Sequence, residues 1–478
     1  MWWRDAVVYQ VYPRSFQDSD GDSVGDLRGI ERRLDHLAWL GVDALWLSPI
    51  YPSPMHDFGY DVADYEGVDP VFGSLEDFDS LVSAARELGL RVLMDVVPCH
   101  TSIEHPWFRE HPDWYIWADR PNNWVAAFGG SAWSELNGRW YLHSFYPEQP
   151  DLDWRNPELI AAMQDVLRFW VERGIAGYRV DAIDRLLKDP KLRDDPPAVE
   201  PFALPLHEEA MKLAGTYSRN APDIGTALAK IREAVGDQLL VGEVYLPSAD
   251  WQPYLEHLDA AFAFELLHSP WDADRMRAAI EASVRRPGAA WVLSNHDFGR
   301  LATRFGAEDA RSAALMLLTL PGPAFLYQGD EIGLGDGPAG GPSRDRFGRD
   351  RFRRPMQWDG SPAGGFTTGE PWLPPVDPKR TNVEAQRDDP RSTLSLVRDL
   401  LTLRRVLGEG IELIDAALGV LAYLRGDHAV AINTTAEERP APLSGDVVLE
   451  TQPGALRRGA LAPHSGAVTM GLRQSQTG

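Results

Sequence analysis

The feature that most constrains the fold of this chain is a repeated alternation of short apolar runs with longer amphipathic stretches. Eight runs rich in apolar and β-branched residues have the pattern of β-strands, and the stretches between them space apolar residues as helices do. This alternation predicts repeated βα units, and eight of them predict an α/β fold of the (β/α)8, or TIM barrel, type. The predicted strands are residues 7–13, 44–49, 91–97, 177–182, 239–244, 260–266, 290–295 and 324–328.

Several predicted helices end in residues that suit helix termini. Gly41, Gly89 and Gly174 each fall just past a predicted helix, where a left-handed residue is common. Asn156 before Pro157 has the pattern of an N-cap followed by a first-turn proline. The predicted helices are residues 27–40, 75–88, 157–173, 226–235, 273–285, 307–320 and 391–406.

Length, charge and cysteine content limit the classes of protein to which the chain can belong. At 478 residues it is too long for one compact core, so two or three domains are expected. A formal net charge of −24 argues against a nucleic-acid partner, which would need clustered Lys and Arg, and is compatible with a neutral sugar. The single cysteine, Cys99, excludes an intrachain disulfide and fits a reducing compartment.

Export and membrane signals are not evident in the sequence. The first residues lack the basic start and the small-residue cleavage site of a signal peptide. No window approaches the roughly 18 apolar residues of a membrane-spanning helix. We therefore expect a cytoplasmic location, no membrane partner, and a monomer or homodimer.

Four short stretches place ionisable residues at the carboxyl ends of predicted strands, where barrel enzymes carry their chemistry. Cleavage of a glycosidic bond needs two carboxyl groups in different protonation states. Asp181, Glu243 and Asp297 supply three carboxyl groups from three strands, which predicts a sugar-cleaving centre. The stretches are D-V-V-P-C-H from Asp95, G-Y-R-V-D from Gly177, V-G-E-V from Val241 and S-N-H-D from Ser294.

These four stretches resemble the four sequence regions of the α-amylase family, glycoside hydrolase family 13. The resemblance covers nearly the whole chain, from W-W-R-D-A-V-V-Y-Q-V-Y-P-R-S-F at residues 2–16 to R-R-P-M-Q-W-D at residues 353–359. The stretch Q-P-D-L-D-W at residues 149–154 resembles the marker of the oligo-1,6-glucosidase and α-glucosidase branch. No organic cofactor is expected for this branch.

The resemblance also implies a domain organisation. The βα alternation fails between His100 and Asn156 over a segment too long for an ordinary loop, and the family has a small domain B there. After about Gly410, short alternating segments predict a small antiparallel β-domain, which resembles the family's C-terminal domain. The predicted domains are the catalytic barrel at residues 1–100 and 156–410, the domain B inserted after strand 3 at residues 101–155, and a C-terminal β-sandwich domain at residues 411–478.

The resemblance assigns roles to the three acids. Asp181 matches the nucleophile, and Arg179, on the same face of its strand, is expected to pair with it and keep it ionised. Glu243 matches the general acid/base, which must begin the reaction protonated. Asp297 matches the third carboxylate, which binds hydroxyls of the reacting glucose.

Two histidines match residues that donate hydrogen bonds to the same hydroxyls. They are His100, at the end of the third predicted strand, and His296, next to Asp297. Cys99 stands where the family commonly has Asn before the first of these histidines, and a thiol is a poor hydrogen-bonding group. The support of His100 is therefore expected to differ from the family's.

Residues from three further segments match the pocket for the terminal glucose. Asp57 would bind the 4- and 6-hydroxyls, and Tyr60 would stack on the sugar ring. Arg349 matches an arginine that pairs with the aspartate and closes the pocket, which implies exo-action on short substrates. Phe128 and Phe145 match aromatic walls beside the cleavage point.

The segment D-S-D-G-D-S-V-G-D, from Asp18, places oxygen ligands at alternate positions, and its glycines permit tight winding. It lacks the bidentate Glu of an EF-hand. In this branch of the family it resembles a single structural Ca²⁺ site, which Mg²⁺ could also fill. The implied ligands are Asp18, Asp20, Asp22, the Val24 carbonyl and Asp26.

The activity implied is that of a retaining α-glucosidase acting on maltose and short oligosaccharides. Ala182 is small where α-1,6-specific enzymes look to have Val, which favours α-1,4 links. An α-glucosyltransferase, trehalose synthase or oligo-1,6-glucosidase of the same family remains an alternative. A sucrose isomerase is disfavoured because no R-L-D-R-F-like segment lies near Arg300. An inactive relative acting as a binding subunit is a further alternative, which the presence of all three acids disfavours.

Overall fold

The computed structural model describes residues 1–198, 208–340 and 343–471. Its centre is a closed barrel of eight parallel strands in which each strand pairs with the next along the chain and the last pairs with the first. This confirms the predicted (β/α)8 fold. The barrel strands are Val7–Val11, Ala44–Leu47, Arg91–Val96, Gly177–Val180, Leu239–Gly242, Ala260–Phe262, Ala289–Val292 and Ala324–Tyr327.

Alternation along each strand builds two apolar layers. In the first strand Val8 faces the barrel interior, where it meets Trp46 and Phe325, while Val7 and Tyr9 face the surrounding helices. Successive side chains of a strand point to opposite faces, so a strand buried on both faces has a continuous apolar sequence. The filled interior leaves the carboxyl ends of the strands as the place where polar side chains can form a site.

Helices surround the barrel, and several predicted elements differ in extent from the observed ones, two of them most clearly. The predicted helix 27–40 is two helices, because Arg33 leaves helical geometry at φ −106° and ψ 4°. The predicted strand 260–266 ends at Phe262, and a helix follows. The α-helices are Leu27–Arg32, Leu34–Leu40, Leu75–Glu87, Pro106–Glu110, Pro157–Glu172, Glu208–Met211, Ile224–Val235, Gln252–Leu255, Phe264–His268, Ala273–Val284, Leu301–Arg304, Ala310–Thr319, Val383–Arg387 and Thr393–Arg404. Short 3-10 helices are Pro13–Ser15, Pro112–Trp114, Ile183–Arg185, Ser248–Asp250, Asp330–Ile332 and Arg349–Arg351.

The predicted helix-end residues have the expected conformations. Gly41, Gly89 and Gly174 have φ values of 98°, 76° and 94°, in the region that glycine enters at low cost. The Asn156 side chain accepts hydrogen bonds from the backbone of Glu158 and Leu159 and so caps the helix that begins at Pro157.

A small antiparallel sheet lies between the third and fourth barrel strands in sequence. Its strands are Trp117–Ala118, Trp133–Leu136 and Arg139–Leu142, with the last of these in the centre. Trp124, Trp133 and Leu142 form its own apolar core. The sheet therefore belongs to the segment for which an inserted domain is predicted, and we refer to residues 101–155 as the inserted segment.

Two antiparallel sheets follow the barrel, as predicted for the C-terminal region. The larger sheet contains Glu412–Leu413, Val420–Arg425, His428–Asn433, Gly466–Met470 and Asp446–Glu450 in spatial order, and the smaller contains Arg439–Pro440, Ala460–Leu461 and Leu456–Arg457. Arg425 connects the larger sheet to the barrel through an ion pair with Asp5 at 2.5 Å. Residues 472–478 of the predicted C-terminal domain and residues 199–207 and 341–342 of the predicted barrel domain lie outside the described residues. Within the described ranges, no helix combines the length and apolar character needed to cross a bilayer.

Candidate active site

A pocket opens at the carboxyl end of the barrel and collects most of the side chains predicted to form the site. Side chains from strand ends, from the inserted segment and from the loop after the eighth strand contribute to it. Of the predicted catalytic and substrate-binding residues, only Arg179 and His296 do not line its wall. The lining residues are Asp57, Tyr60, His100, Ala127, Phe128, Phe145, Asp181, Arg185, Glu243, Tyr245, Asp297, Phe347 and Arg349.

Arg179 lies beneath the pocket and joins three carboxyl groups. Its Nη1 is 2.6 Å from Asp181 Oδ1 and 2.8 Å from Asp95 Oδ1, and its Nη2 is 2.5 Å from Glu243 Oε1. The predicted pairing of Arg179 with Asp181 is therefore present, and the same guanidinium also holds Glu243. Because one cation bridges them, Asp181 and Glu243 lie in one site although they come from different strands.

The balance of charge around Arg179 corrects one expectation. Burial raises the pKa of Asp181 well above its usual value; Arg179 opposes this, and the nearby Glu243 and Asp95 carboxyls add to it. Burial likewise raises the pKa of Asp95 to about 6 against the charge of Arg179. Arg179 therefore does not outweigh burial and the neighbouring carboxyls in setting the pKa of Asp181. Three buried carboxyl groups face one positive charge, so their negative charges oppose one another.

Glu243 is held by neighbours that the sequence did not reveal. Tyr245 donates its hydroxyl to Glu243 Oε1 at 2.9 Å, and the Ala182 backbone N–H donates to Oε2 at 3.1 Å. The Tyr245 ring stacks on Phe264 with centroids 4.5 Å apart and planes within 7°. The Glu243 carboxyl is thus fixed at the pocket wall by one side chain and one backbone group.

Arg349 forms the opposite end of the pocket. Its guanidinium is 2.5 Å from Asp57 Oδ1, 2.9 Å from Asp297 Oδ1 and 2.6 Å from Asp345 Oδ1. Arg353 adds a second contact to Asp297 at 3.0 Å. Burial opposes ionisation of Asp297, but the charges of Arg349 and Arg353 counteract burial and the pKa of Asp297 is lowered. Asp297 is therefore ionised at neutral pH.

His296 lies behind the pocket wall rather than in it. Its Nε2 is 2.7 Å from the Tyr60 hydroxyl, its Nδ1 is 2.8 Å from Gln10, and its ring stacks on Tyr60 with centroids 5.3 Å apart. Burial lowers the pKa of His296 well below its usual value, so the ring is neutral. With both nitrogens in contact with protein groups, His296 supports Tyr60 and Asp297 from below.

Gln149 supports His100, which lines the pocket. Gln149 Nε2 is 3.0 Å from His100 Nε2 and 3.0 Å from Asp57 Oδ2, so this amide joins the two residues. Burial lowers the pKa of His100 to about 4, and the ring is neutral. Cys99 contributes no hydrogen bond to this ring: its thiol lies 3.5 Å from the Arg185 carbonyl, and burial raises its pKa to about 12.

Aromatic rings form the mouth of the pocket. Phe128 and Phe145 both line it, with centroids 5.7 Å apart, and Phe145 also packs on His100 at 5.1 Å. Phe347, from the loop after the eighth strand, packs on Phe128 at 4.7 Å. The inserted segment and that loop therefore meet above the pocket.

The predicted metal loop brings some of its predicted ligands together. Carboxylate oxygens of Asp18, Asp20 and Asp22 lie within 4.8 Å of one another. Val24 lies in the same loop, and its N–H donates to Asp22 at 2.8 Å. Asp26 is not in this group, because its carboxylate caps the helix Leu27–Arg32 and accepts from the Ser19 N–H at 2.6 Å.

Four supporting residues were missed in the sequence. Asp95 had a usable signal, since a charged residue inside the apolar run of the third strand needs a buried partner. Gln149 lies in the branch marker, but the marker does not reveal its contacts. Tyr245 and Arg353 lie in loops, where neither register nor spacing predicts a partner.

A closed parallel barrel whose carboxyl end gathers acidic residues around one pocket defines the class of barrel enzymes. The sequence matches the family described as alpha amylase, catalytic domain, over residues 10–409. The chain belongs to this family and is a glycoside hydrolase.

Relatives from sequence and structure comparisons carry closely related activities. A probable alpha-glucosidase of Rhizobium meliloti is 40% identical over 89% of this chain and 87% of its own length. An oligo-1,6-glucosidase of Parageobacillus thermoglucosidasius is 35% identical over 85% of this chain and 84% of its own length. The crystal structure of the alpha-glucosyl transfer enzyme XgtA is 36% identical with a TM-score of 0.93, covering 98% of this chain and 99% of that one.

Proposed function

We propose that this protein is a retaining, exo-acting α-glucosidase that hydrolyses terminal α-1,4-linked glucose from maltose and short oligosaccharides. The observation that carries the proposal is the single Arg179 guanidinium that holds Asp181 and Glu243 in one pocket. Double displacement at an anomeric carbon requires two carboxyl groups in one site, one as nucleophile and the other as acid/base.

In the first step Asp181 attacks the anomeric carbon and the bond to the leaving oxygen breaks. Glu243 gives that oxygen its proton, and an ester joins the glucose to Asp181. In the second step Glu243 takes a proton from water, the resulting hydroxide attacks the same carbon, and Asp181 leaves as a carboxylate. Two inversions give an α-glucose product.

The closed end of the pocket supports exo-action. Asp57 and Arg349 face each other at 2.5 Å, and Asp297 pairs with the same guanidinium. These groups can form hydrogen bonds with the hydroxyls of a terminal glucose. An internal glucose carries further sugar units on that side, and the ion pair leaves no room for them. Tyr60 and His100 complete this wall.

Glucosyl transfer is the second candidate, and the similarity to an alpha-glucosyl transfer enzyme favours it. Hydrolysis and transfer share the ester on Asp181 and differ only in whether water or a sugar hydroxyl attacks it. The rings of Phe128, Phe347 and Tyr245 at the pocket wall could bind an acceptor sugar by stacking.

The metal site is proposed as structural. Asp18, Asp20 and Asp22 are hard oxygen ligands close enough to share one ion, which suits Ca²⁺ and also Mg²⁺. Asp26 would act through the helix that it caps rather than as a ligand.

A time course of products from maltose, isomaltose, sucrose and trehalose tests the function. We expect glucose from maltose fastest, with α-glucose formed first in NMR spectra recorded before mutarotation. Longer oligosaccharides at high maltose would indicate transfer. β-Glucose as the first product would contradict a retaining mechanism. An isomerised disaccharide as the main product would show that the enzyme is an isomerase rather than a hydrolase.

A further inference from the structure

A short part of the loop after the eighth barrel strand crosses the mouth of the pocket and contacts the inserted segment. We call residues 343–351 the closing segment. Arg346, in the closing segment, forms a bidentate ion pair with Glu148 of the inserted segment. The Nη1–Oε1 distance is 3.2 Å and the Nη2–Oε2 distance is 2.9 Å. Directly beside this pair, Phe347 packs on Phe128 with centroids 4.7 Å apart.

Hydrogen bonds within the closing segment connect its residues to one another. Asp350 accepts hydrogen bonds from the backbone N–H groups of Arg344 and Asp345, at 2.5 Å and 3.2 Å. Asp345 in turn accepts from the backbone N–H of Arg349 at 2.8 Å and from its guanidinium. Arg346 directly follows Asp345 in the chain, so it is connected through Asp345 to Arg349, which forms the closed end of the glucose pocket.

The position of the Arg346–Glu148 pair allows it to open. The side chains of Arg346 and Glu148 keep 45% and 28% of their exposure, so each charge can return to water without the cost of burying an unpaired ion. The aromatic face of Tyr146 lies 3.9 Å from the Arg346 guanidinium and gives it a second contact in the closed position.

We propose that the Arg346–Glu148 ion pair is a latch that sets how tightly the closing segment covers the glucose pocket, and so controls entry of the terminal glucose and release of the glucose product. This inference rests on the proposed function, since it takes glucose as the occupant. Arg346 and Glu148 are positioning residues, which act on the sugar through Arg349. Because the pair is exposed, salt screens it.

Kinetics of Glu148→Gln with 4-nitrophenyl α-D-glucopyranoside test the latch. We expect KM and the inhibition constant of glucose to rise together by about two- to fivefold, the range for a partly exposed ion pair, while kcat changes by less than about twofold. One molar NaCl should raise both constants of the wild type and leave those of the variant unchanged. Glu281→Gln is the matched control, because it breaks the exposed Glu281–Arg285 pair with the same change of charge.

Exchange of the two charges separates the latch from a merely structural role. Glu148→Arg and Arg346→Glu should each raise KM, and their combination should restore it. Hydrogen exchange of residues 343–351 should be faster in Glu148→Gln than in the wild type, whether or not the substrate is correctly assigned. Unchanged KM, glucose inhibition and exchange would overturn the latch, as would additive effects in the double variant. A wild type that cleaves no α-glucoside would instead refute the proposed function.

Discussion

Arg179 is the residue on which the chemistry of the site depends most. It is 1% exposed and contacts Asp95, Asp181 and Glu243 at once. One buried cation cannot balance three ionised carboxyl groups, and burial raises the pKa of Asp181 above its usual value and that of Asp95 to about 6. The proposed double displacement takes both the attacking carboxylate, Asp181, and the acid, Glu243, from this cluster.

Ala182 carries a constraint that its size alone does not reveal. Its backbone is left-handed, with φ 42° and ψ 41°, and this conformation points its N–H at Glu243. A β-branched residue is disfavoured there, at a cost of roughly 1–2 kcal/mol. The left-handed backbone of Ala182 therefore helps to position the Glu243 carboxyl.

We predict that Ala182→Val lowers the free energy of unfolding by about 1–2 kcal/mol and lowers kcat/KM for maltose more than for isomaltose. Added methyl groups on the residue after Asp181 crowd its surroundings, and the strained backbone shifts the N–H that holds Glu243. Urea unfolding and kinetics on both sugars measure this. Ala182→Gly, which relieves the strain, is the control. If the ratio of kcat/KM for maltose to kcat/KM for isomaltose is the same in Ala182→Val as in the wild type, Ala182 does not determine the linkage preference.

At the scale of elements, the barrel could be predicted because each strand is apolar on both faces. The run A-A-F-A-F-E-L-L from Ala260 misled the prediction, since apolar residues continue past Phe262 into a buried helix, and periodicity cannot separate the two over so few residues. Arg33 interrupts a helical pattern that is continuous in sequence. Such breaks depend on tertiary contacts, here a contact of the Arg33 guanidinium with Trp358.

The candidate site could be predicted where strands deliver the side chain. Asp181 and Glu243 directly follow strands, so the topology alone brings them to the same end of the barrel. Glu148 and Arg346 come from long loops, and their contact depends on how those loops fold over the barrel. Sequence patterns do not predict which residues of two long loops come into contact.

The seventh and eighth strands are joined above the barrel by a buried acid outside the pocket. The Ser294 hydroxyl donates to Asp330, which directly follows Gly329. Burial raises the pKa of Asp330 to about 7, against the charge of Arg300. Because the folded state binds this proton more tightly than the unfolded state, the contribution to stability is fully present below about pH 4 and is lost as pH rises to about 7.

We predict that Asp330→Asn, which cannot titrate, gains stability relative to the wild type between pH 4.5 and pH 7.5, by up to about 4 kcal/mol. Chemical unfolding of both proteins across this range measures the difference. Asp415→Asn, which removes an exposed carboxyl, is the control. A difference between Asp330→Asn and wild type that stays constant with pH would show that the acid does not titrate in this window.

At the scale of the whole molecule, the predicted metal loop joins distant parts of the chain. Asp18 accepts a hydrogen bond from the Thr367 hydroxyl at 2.5 Å, which ties the loop after the first strand to the loop after the eighth. The closing segment belongs to the same long loop. A metal ion on Asp18, Asp20 and Asp22 would therefore stabilise the side of the barrel that carries Arg349.

We predict that Ca²⁺ raises the melting temperature of the EDTA-treated protein, because a ligand that binds only the folded state stabilises it by about 2.7 kcal/mol at one hundred times its Kd. Asp22→Ala should abolish this response, whereas Glu281→Gln should retain it. Calorimetric titration with Ca²⁺ and Mg²⁺ would identify the preferred ion. Equal melting temperatures in Ca²⁺ and in EDTA would show that this loop does not bind Ca²⁺.

In the proposed reaction Asp181 forms the bond to glucose while Glu243 moves the proton. The most direct test is to trap the intermediate with 5-fluoro-α-D-glucosyl fluoride, quench in acid, and locate the label by peptide mass spectrometry. We expect a fluoroglucosyl ester on Asp181, and no label in an Asp181→Ala variant that is still folded by circular dichroism. A label on Glu243 or Asp297, or turnover by Asp181→Ala at a rate near that of the wild type, would contradict it.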